Sequence, residues 1–166
     1  AAAPDGVYHG HAAIDDDGTS EAPVHIHCTI TIKGDELEVD FDGTDAQVAT
    51  NINCPFASCL ASALSCVKSV ISAPDIPFNE GVKRPVTVKA PFGSILNPRP
   101  PAPVRARLLP AYRAYNAVMD ALAKAVPAQV IAPGYDTTTS FCLAHLGEKG
   151  YSLSLIHISE PTRRNS

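Results

Sequence analysis

Nine consecutive residues, Val24 to Ile32, alternate without a break. Val24, Ile26, Cys28, Ile30 and Ile32 fall on one side, and His25, His27, Thr29 and Thr31 on the other. A helix would scatter these two sets around its axis, whereas a strand separates them cleanly, so this is a half-buried β-strand. Lys33-Gly34-Asp35-Glu36 follows as a turn, in which Gly34 supplies a positive φ at little cost. Leu37, Val39 and Phe41 then alternate with Glu38, Asp40 and Asp42, which completes a hairpin. An earlier strand, about Gly6 to Ile14, ends in the Asp15-Asp16-Asp17-Gly18 turn and is expected in the same sheet.

The texture changes after Asn51. Asn53 is placed to cap a helix whose first turn holds Pro55. Phe56, Leu60, Leu64, Val67 and Ile71 recur at helical spacing between small residues, predicting a helix near 54–72 that permits close packing. Residues 77–103 are rich in Pro and Gly and hold one strand, Arg84 to Lys89. A second helix is expected near 110–126, with Tyr115, Val118, Met119, Leu122 and Val126 as its apolar stripe. The expected fold class is therefore α+β: an antiparallel sheet in the N-terminal part, then two main helices and a Pro/Gly-rich segment. Its 166 residues suffice for about one domain.

Charge and cysteine usage narrow the function classes. With 13 Lys+Arg against 17 Asp+Glu the chain is mildly acidic and has no basic stripe, so nucleic acid is not an expected partner. No apolar run approaches the ~20 residues that span a bilayer, and no charged segment followed by an apolar one opens the chain. Five cysteines without CxxC spacing predict reduced thiols and a cytoplasmic setting rather than a disulfide framework.

Few residues suggest chemistry. His25 and His27 share a strand face, and His9 and His11 repeat the spacing, so four imidazoles could converge if the strands were adjacent. No Cys or carboxylate spacing completes a zinc site, and the expectation is four solvent-side positions and no metal site. Asp15 to Asp17 lack the periodicity of a calcium loop. The GxSxG, HExxH, P-loop and GxGxxG patterns are absent. What remains is a set of polar and Gly residues at element boundaries: Asp40, Gly43, Thr44, Asn53, Asn79, Gly81, Gly93 and Asn97. Two readings of them stand open, substrate binding or turn and cap chemistry.

Taken in order, DGVYHGHAAIDDDG, VDFDGT, NINCP, IPFNEGVKRPVTVKAPFGSILNPRPPAPV and YNAVMDALAKAVP, followed by Ala132-Pro133-Gly134, resemble the hydantoinase B/oxoprolinase family. The resemblance is collinear from about Pro4 to Gly150. It implies part of an enzyme subunit that works with a small-molecule substrate beside an ATP-binding hydantoinase A-type subunit. That partner phosphorylates an amide or enolate oxygen, and ring opening or carboxylation follows. ATP and a divalent metal are implied for the full complex, with no cofactor in this segment. The family's Asn-Asp-Pro-Tyr and His-rich segments do not occur here, so no catalytic residue is assigned. Cyclic-amide hydrolysis is the leading expectation, an acetone/acetophenone-type carboxylase the nearest alternative, and a non-catalytic β-rich binding or assembly module the alternative of another class.

The absence of an initial Met and the brevity of the chain predict a fragment of a larger subunit. Residues 1–152 carry the family-like pattern, and 153–166, containing LIHISEPTRR, read as a non-native tail resembling translated sequencing adapter.

Overall fold

The alternating run finds its partner upstream: β1 (Gly6–Ile14) lies antiparallel to β2 (Val24–Lys33), with His11 opposite His27 and Ala13 opposite His25. β2 turns back through Gly34, φ +58°, into β3 (Glu36–Asp40), again antiparallel. The chain then leaves the sheet for α1 (Phe56–Ile71) and the one-turn α2 (Glu80–Lys83). It returns as β4 (Val86–Lys89), parallel to β3, before α3 (Leu108–Ala125). The sheet order is β1-β2-β3-β4. The expected antiparallel sheet thus gains a parallel fourth strand, which requires a long crossover, and α1 and α2 supply it. This computed structural model describes residues 3–73, 75–132, 134, 140–147 and 150–157, the last two stretches as backbone alone.

Alternation sorts the residues as expected. Ile26, Cys28, Ile30, Val39 and Phe41 are fully buried on the inner face, while His27, Thr31 and Lys33 point outward to solvent. α3 packs on β1 and β2, and α1 packs on α3 and β4, so the helices cover one side of the sheet. Each fully buried Ile or Phe contributes roughly 1.5–3 kcal/mol by leaving water.

Two helix details differ from the sequence reading. Asn53 does not cap α1; Pro55 occupies that position and no side chain caps the helix. The buried face of α1 is also rotated from the Phe56-Leu60-Leu64-Val67-Ile71 stripe. Cys59, Ala63, Cys66 and Val70 line the core together with Leu64 and Val67, whereas Phe56, Leu60 and Ile71 are half-buried. Small side chains face inward because the helices and sheet approach closely there. Between β1 and α3 the approach is tight at Gly10: a Cβ on it would lie 1.9 Å from the Ala117 carbonyl oxygen and 2.7 Å from the Ala121 amide nitrogen. Ala114, Ala117 and Ala121, all fully buried, give α3 the flat side this approach needs. A hydrogen bond of 3.1 Å between Ser69 Oγ and Tyr115 OH ties α1 to α3.

Residues 135–166 form a second unit, whose backbone holds a hairpin of β5 (Ser140–Gly147) and β6 (Gly150–His157). The break expected after Ser152 falls on residues whose side chains lie outside the described part.

Candidate functional site

Six of the eight boundary residues belong to one knot of loops beside the end of β3. Asp40 turns its carboxylate onto the Asp42 amide, and Gly43 takes φ +82°. Thr44 Oγ1 accepts from the His27 amide and donates to the His27 carbonyl, so its side chain continues the β2 ladder where β3 has ended. Asp45 extends this, accepting from the His25 amide at 2.6 Å through Oδ2 and donating its own amide to the His25 carbonyl. The Asp45 carbonyl accepts from the Ile95 amide, which joins the 40–45 segment to the 93–97 turn. In that turn Gly93 adopts φ +93° and donates to the Asn97 carbonyl, while Asn97 Nδ2 donates to the Ala90 carbonyl.

Asn53 stands at the centre and is fully buried. Its Oδ1 accepts from the Val48 amide, and its Nδ2 lies 2.9–3.0 Å from the carbonyls of Val48, Thr50 and Pro103. One side chain therefore pins two loops about 50 positions apart in sequence. In each of these residues the polar side chain or the special φ serves the backbone, which is the turn-and-cap chemistry that the spacing allowed.

Asn79 and Gly81 lie elsewhere. Asn79 caps α2, its Oδ1 accepting from the Gly81 and Val82 amides. Both line a largely apolar groove of about 550 Å³ with Ile32, Leu37, Val67 and Val86. α2 itself escaped the sequence reading because four residues are too few to display a period.

Convergent polar side chains outside the knot gather at the β1 edge. His11 Nε2 and His25 Nδ1 are 3.0 Å apart, and the His27 ring centroid is 4.9 Å from that of His11. His9 is not part of this group; its Nδ1 is 3.1 Å from Thr29 Oγ1. On the far side of β1, α3 reaches over the edge. Asp120 accepts from the His11 amide at 3.1 Å, and Lys124 donates to the His9 carbonyl and pairs with Asp120. Between this edge and α3 lies a cleft of about 370 Å³ lined by His11, Arg113, Asn116, Asp120 and Ile131. Asp120 carried no sequence signal, since its partner is 109 positions away.

The four thiols among the described residues are poor nucleophiles. Cys28, Cys54, Cys59 and Cys66 are free and buried. Burial pushes Cys54 and Cys66 up to about 12, and it raises Cys28 and Cys59 as well, so all four stay protonated at neutral pH. Among the described residues, no group of three or more His, Cys, Asp or Glu stands arranged to hold a metal ion. The described residues thus give no fit for the divalent metal that the family resemblance implies. No helix among them is long and apolar enough to cross a membrane.

Comparison with known proteins gives a consistent set. The profile of the family described as Hydantoinase B/oxoprolinase matches residues 1–161. A 5-oxoprolinase of Pestalotiopsis fici is 33% identical over 123 residues, covering 72% of this chain and 9% of the relative. A protein described as the B-type component of a putative D-/L-hydantoinase from Pseudomonas sp. (strain NS671) is 32% identical over 139 residues, covering 78% and 24%. Among solved structures, the ATP-dependent caprolactamase of Pseudomonas jessenii superposes with a TM-score of 0.67 at 30% identity, covering 76% of this chain and 22% of that one. The nucleotide-free acetone carboxylase structure superposes with a TM-score of 0.74 at 15% identity, covering 93% and 22%, a likeness of fold alone. The chain spans less than a quarter of the length of each of these four proteins.

Proposed function

Because the chain belongs to the hydantoinase B/oxoprolinase family, we propose that it is a segment of the B-type subunit of an ATP-dependent cyclic-amide hydrolase. The observation that carries this reading is the family match over residues 1–161, joined to relatives named as the B-type component of a hydantoinase and the beta component of a caprolactamase. An unactivated amide resists attack by water because its nitrogen is a poor leaving group and its carbonyl a weak electrophile. Phosphorylation of the carbonyl oxygen removes that resistance, which is why such an enzyme consumes ATP. In this reading an A-type partner subunit supplies the ATP site, and a divalent metal belongs to the complete complex. The four described cysteines, all free of disulfides, suit a reducing, cytoplasmic setting.

Within the segment, the Asn53 loop knot works as a scaffold. It fixes the ends of β2 and β3 and the 93–97 turn, on which a rigid substrate-facing surface can be built. Residues 1–152 carry this framework, and we place 153–166 outside it. A chain ended at Ser152 should melt within a few degrees of the 166-residue chain, and a large drop would make the tail genuine structure.

The test of function uses the complete B-type subunit purified with its A-type partner. ATP hydrolysis coupled to opening of hydantoin, 5-oxoproline or caprolactam, with the linear product identified by mass, is the expected outcome. The 166-residue chain alone should turn over none of them. Bicarbonate-dependent consumption of a ketone would make the complex a carboxylase, and neither activity would favour an assembly module.

A further inference from the structure

The groove of about 550 Å³ that Asn79 and Gly81 border has no part in the proposed function. Its walls come from three directions. Ile32 and Leu37 stand where β2 turns into β3, Val67 and Ile71 lie in the last turns of α1, and Val86 opens β4. α1 ends at Ile71 and α2 has a single turn, so the helix layer leaves a trough over this end of the sheet. The loop between the two helices raises large apolar side chains at the lip. Ile76, which lines the groove, is 44% exposed, and Phe78, two residues on, is 52% exposed. An apolar trough with an apolar lip is the kind of surface that marks contact with another polypeptide.

Chemistry narrows the occupant. A polar small molecule needs a few convergent polar groups to orient it. The polar side chains bordering this groove serve the backbone or face solvent. Lys68 Nζ is drawn to the Ala73 carbonyl just past the end of α1, and Asn79 Oδ1 holds the Gly81 and Val82 amides. Asp35 and Glu36 are exposed on the β2–β3 turn, where their charge disfavours a carboxylate. A cyclic amide or its ring-opened acid would therefore set its oxygens against Ile, Leu and Val at a desolvation cost. Apolar side chains carried on a polypeptide meet no such cost.

Length selects among polypeptides. The chain spans 24% of the hydantoinase component and 22% of the caprolactamase chain that it matches, so more than three quarters of each is other sequence. A segment tied to the same chain meets the groove at a high effective concentration, whereas a separate subunit or a second copy has to supply the full cost of association. We propose that the groove seats an apolar segment of the same B-type subunit, drawn from the part outside residues 1–166. Its side chains take the place over Ile32 and Leu37 that a longer helix layer would fill. This rests on the reading of the chain as part of such a subunit.

The test places one thiol at the lip. Ile76→Cys is made in the 166-residue chain and in the complete B-type subunit, and maleimide labelling is timed against each parent protein at high and at low concentration. The new thiol should react freely in the 166-residue chain. In the complete subunit, purified without its A-type partner, it should react at least ~100-fold more slowly at either concentration. A photoreactive crosslinker on that thiol should join a peptide of the same subunit from outside residues 1–166. Circular dichroism confirms folding, and Val82→Cys, a half-buried position in the same groove, stands in should the first variant misfold. Labelling of the complete subunit as fast as of the 166-residue chain overturns the inference. So does protection that needs the A-type partner, protection that fades on dilution, or a crosslink within residues 1–166. Turnover is read separately: protection without opening of a cyclic amide leaves this inference standing and overturns the proposed function, and turnover without protection does the reverse.

Discussion

The inner and outer faces of the β1–β2 pair are made from alternate residues of the same two strands, yet they obey opposite rules. Inside, Gly10, Ile26, Cys28 and Ile30 meet helix backbone and buried side chains with no room to spare. Outside, His9, His11, His25, His27 and Thr29 touch one another and water. Buried apolar contact is concentrated on the first face and polar side chains on the second. A one-residue slip of register would exchange them, so the buried set pins the outer histidines in their positions as firmly as it pins itself.

This contrast can be broken most violently at Gly10. Gly10→Val puts a branched side chain where even a Cβ meets α3 backbone at 1.9 Å. We expect a loss at or beyond the upper end of the ~1–3 kcal/mol typical of overpacking, enough to abolish a cooperative melt. A variant melting within 2 °C of wild type would show that α3 is free to move away. Asn53→Ala comes next. It strands the Val48 amide and removes the donor to the part-buried carbonyl contacts of Val48, Thr50 and Pro103, and it should cost about 2–4 kcal/mol in urea unfolding.

Alkylation sharpens the contrast within a single strand. Cys28, Cys54, Cys59 and Cys66 should react with iodoacetamide at pH 8 at least ~100-fold more slowly in the native chain than in urea. Diethylpyrocarbonate should modify His27, next to Cys28 but on the other face, without unfolding; rapid native alkylation of Cys28 would contradict the burial. On the outer face, His9→Ala should shift stability by less than ~0.5 kcal/mol. The smallest effect belongs to the β1–β2 connection. Hydrogen bonds donated by the Ser20 and Thr19 amides and by the Thr19 hydroxyl hold the Asp17 carboxyl down to about 2. The folded chain thus favours the charged form. This slight support is complete above the ordinary carboxylate range near ~4 and is lost as pH falls through about 2. A carbon-detected NMR titration of Asp17 should show that low midpoint.

Local pattern carried much of this fold. Alternation and helical spacing located β1 to β3, α1 and α3 to within a few residues, since both signals are written in neighbouring positions. What escaped was long-range. β4 joins β3 across the whole α1–α2 excursion, so its parallel pairing left no local mark. Helical spacing marks α1 but does not say which of its sides turns inward, and close packing there selects Cys59 and Ala63 over Phe56 and Leu60. The two His-x-His spacings were visible, but only the His11–His27 register decides that His11 joins the group and His9 turns to Thr29. Asn53 was visible as a polar residue at a boundary, while Pro103, one of its partners, was not.

The pairing of Asp120 and Lys124 with the free side of β1 also has a meaning for the life of the chain among other chains. An edge strand with idle amides and carbonyls invites a foreign strand to add itself and continue the sheet. Here the His11 amide and the His9 carbonyl are already engaged by a helix whose close seating on Gly10 keeps it there. A neighbouring polypeptide arriving at this border meets charged side chains instead of a template. Loosening α3 would therefore do more than destabilise the domain: it would uncover a seam along which copies could aggregate.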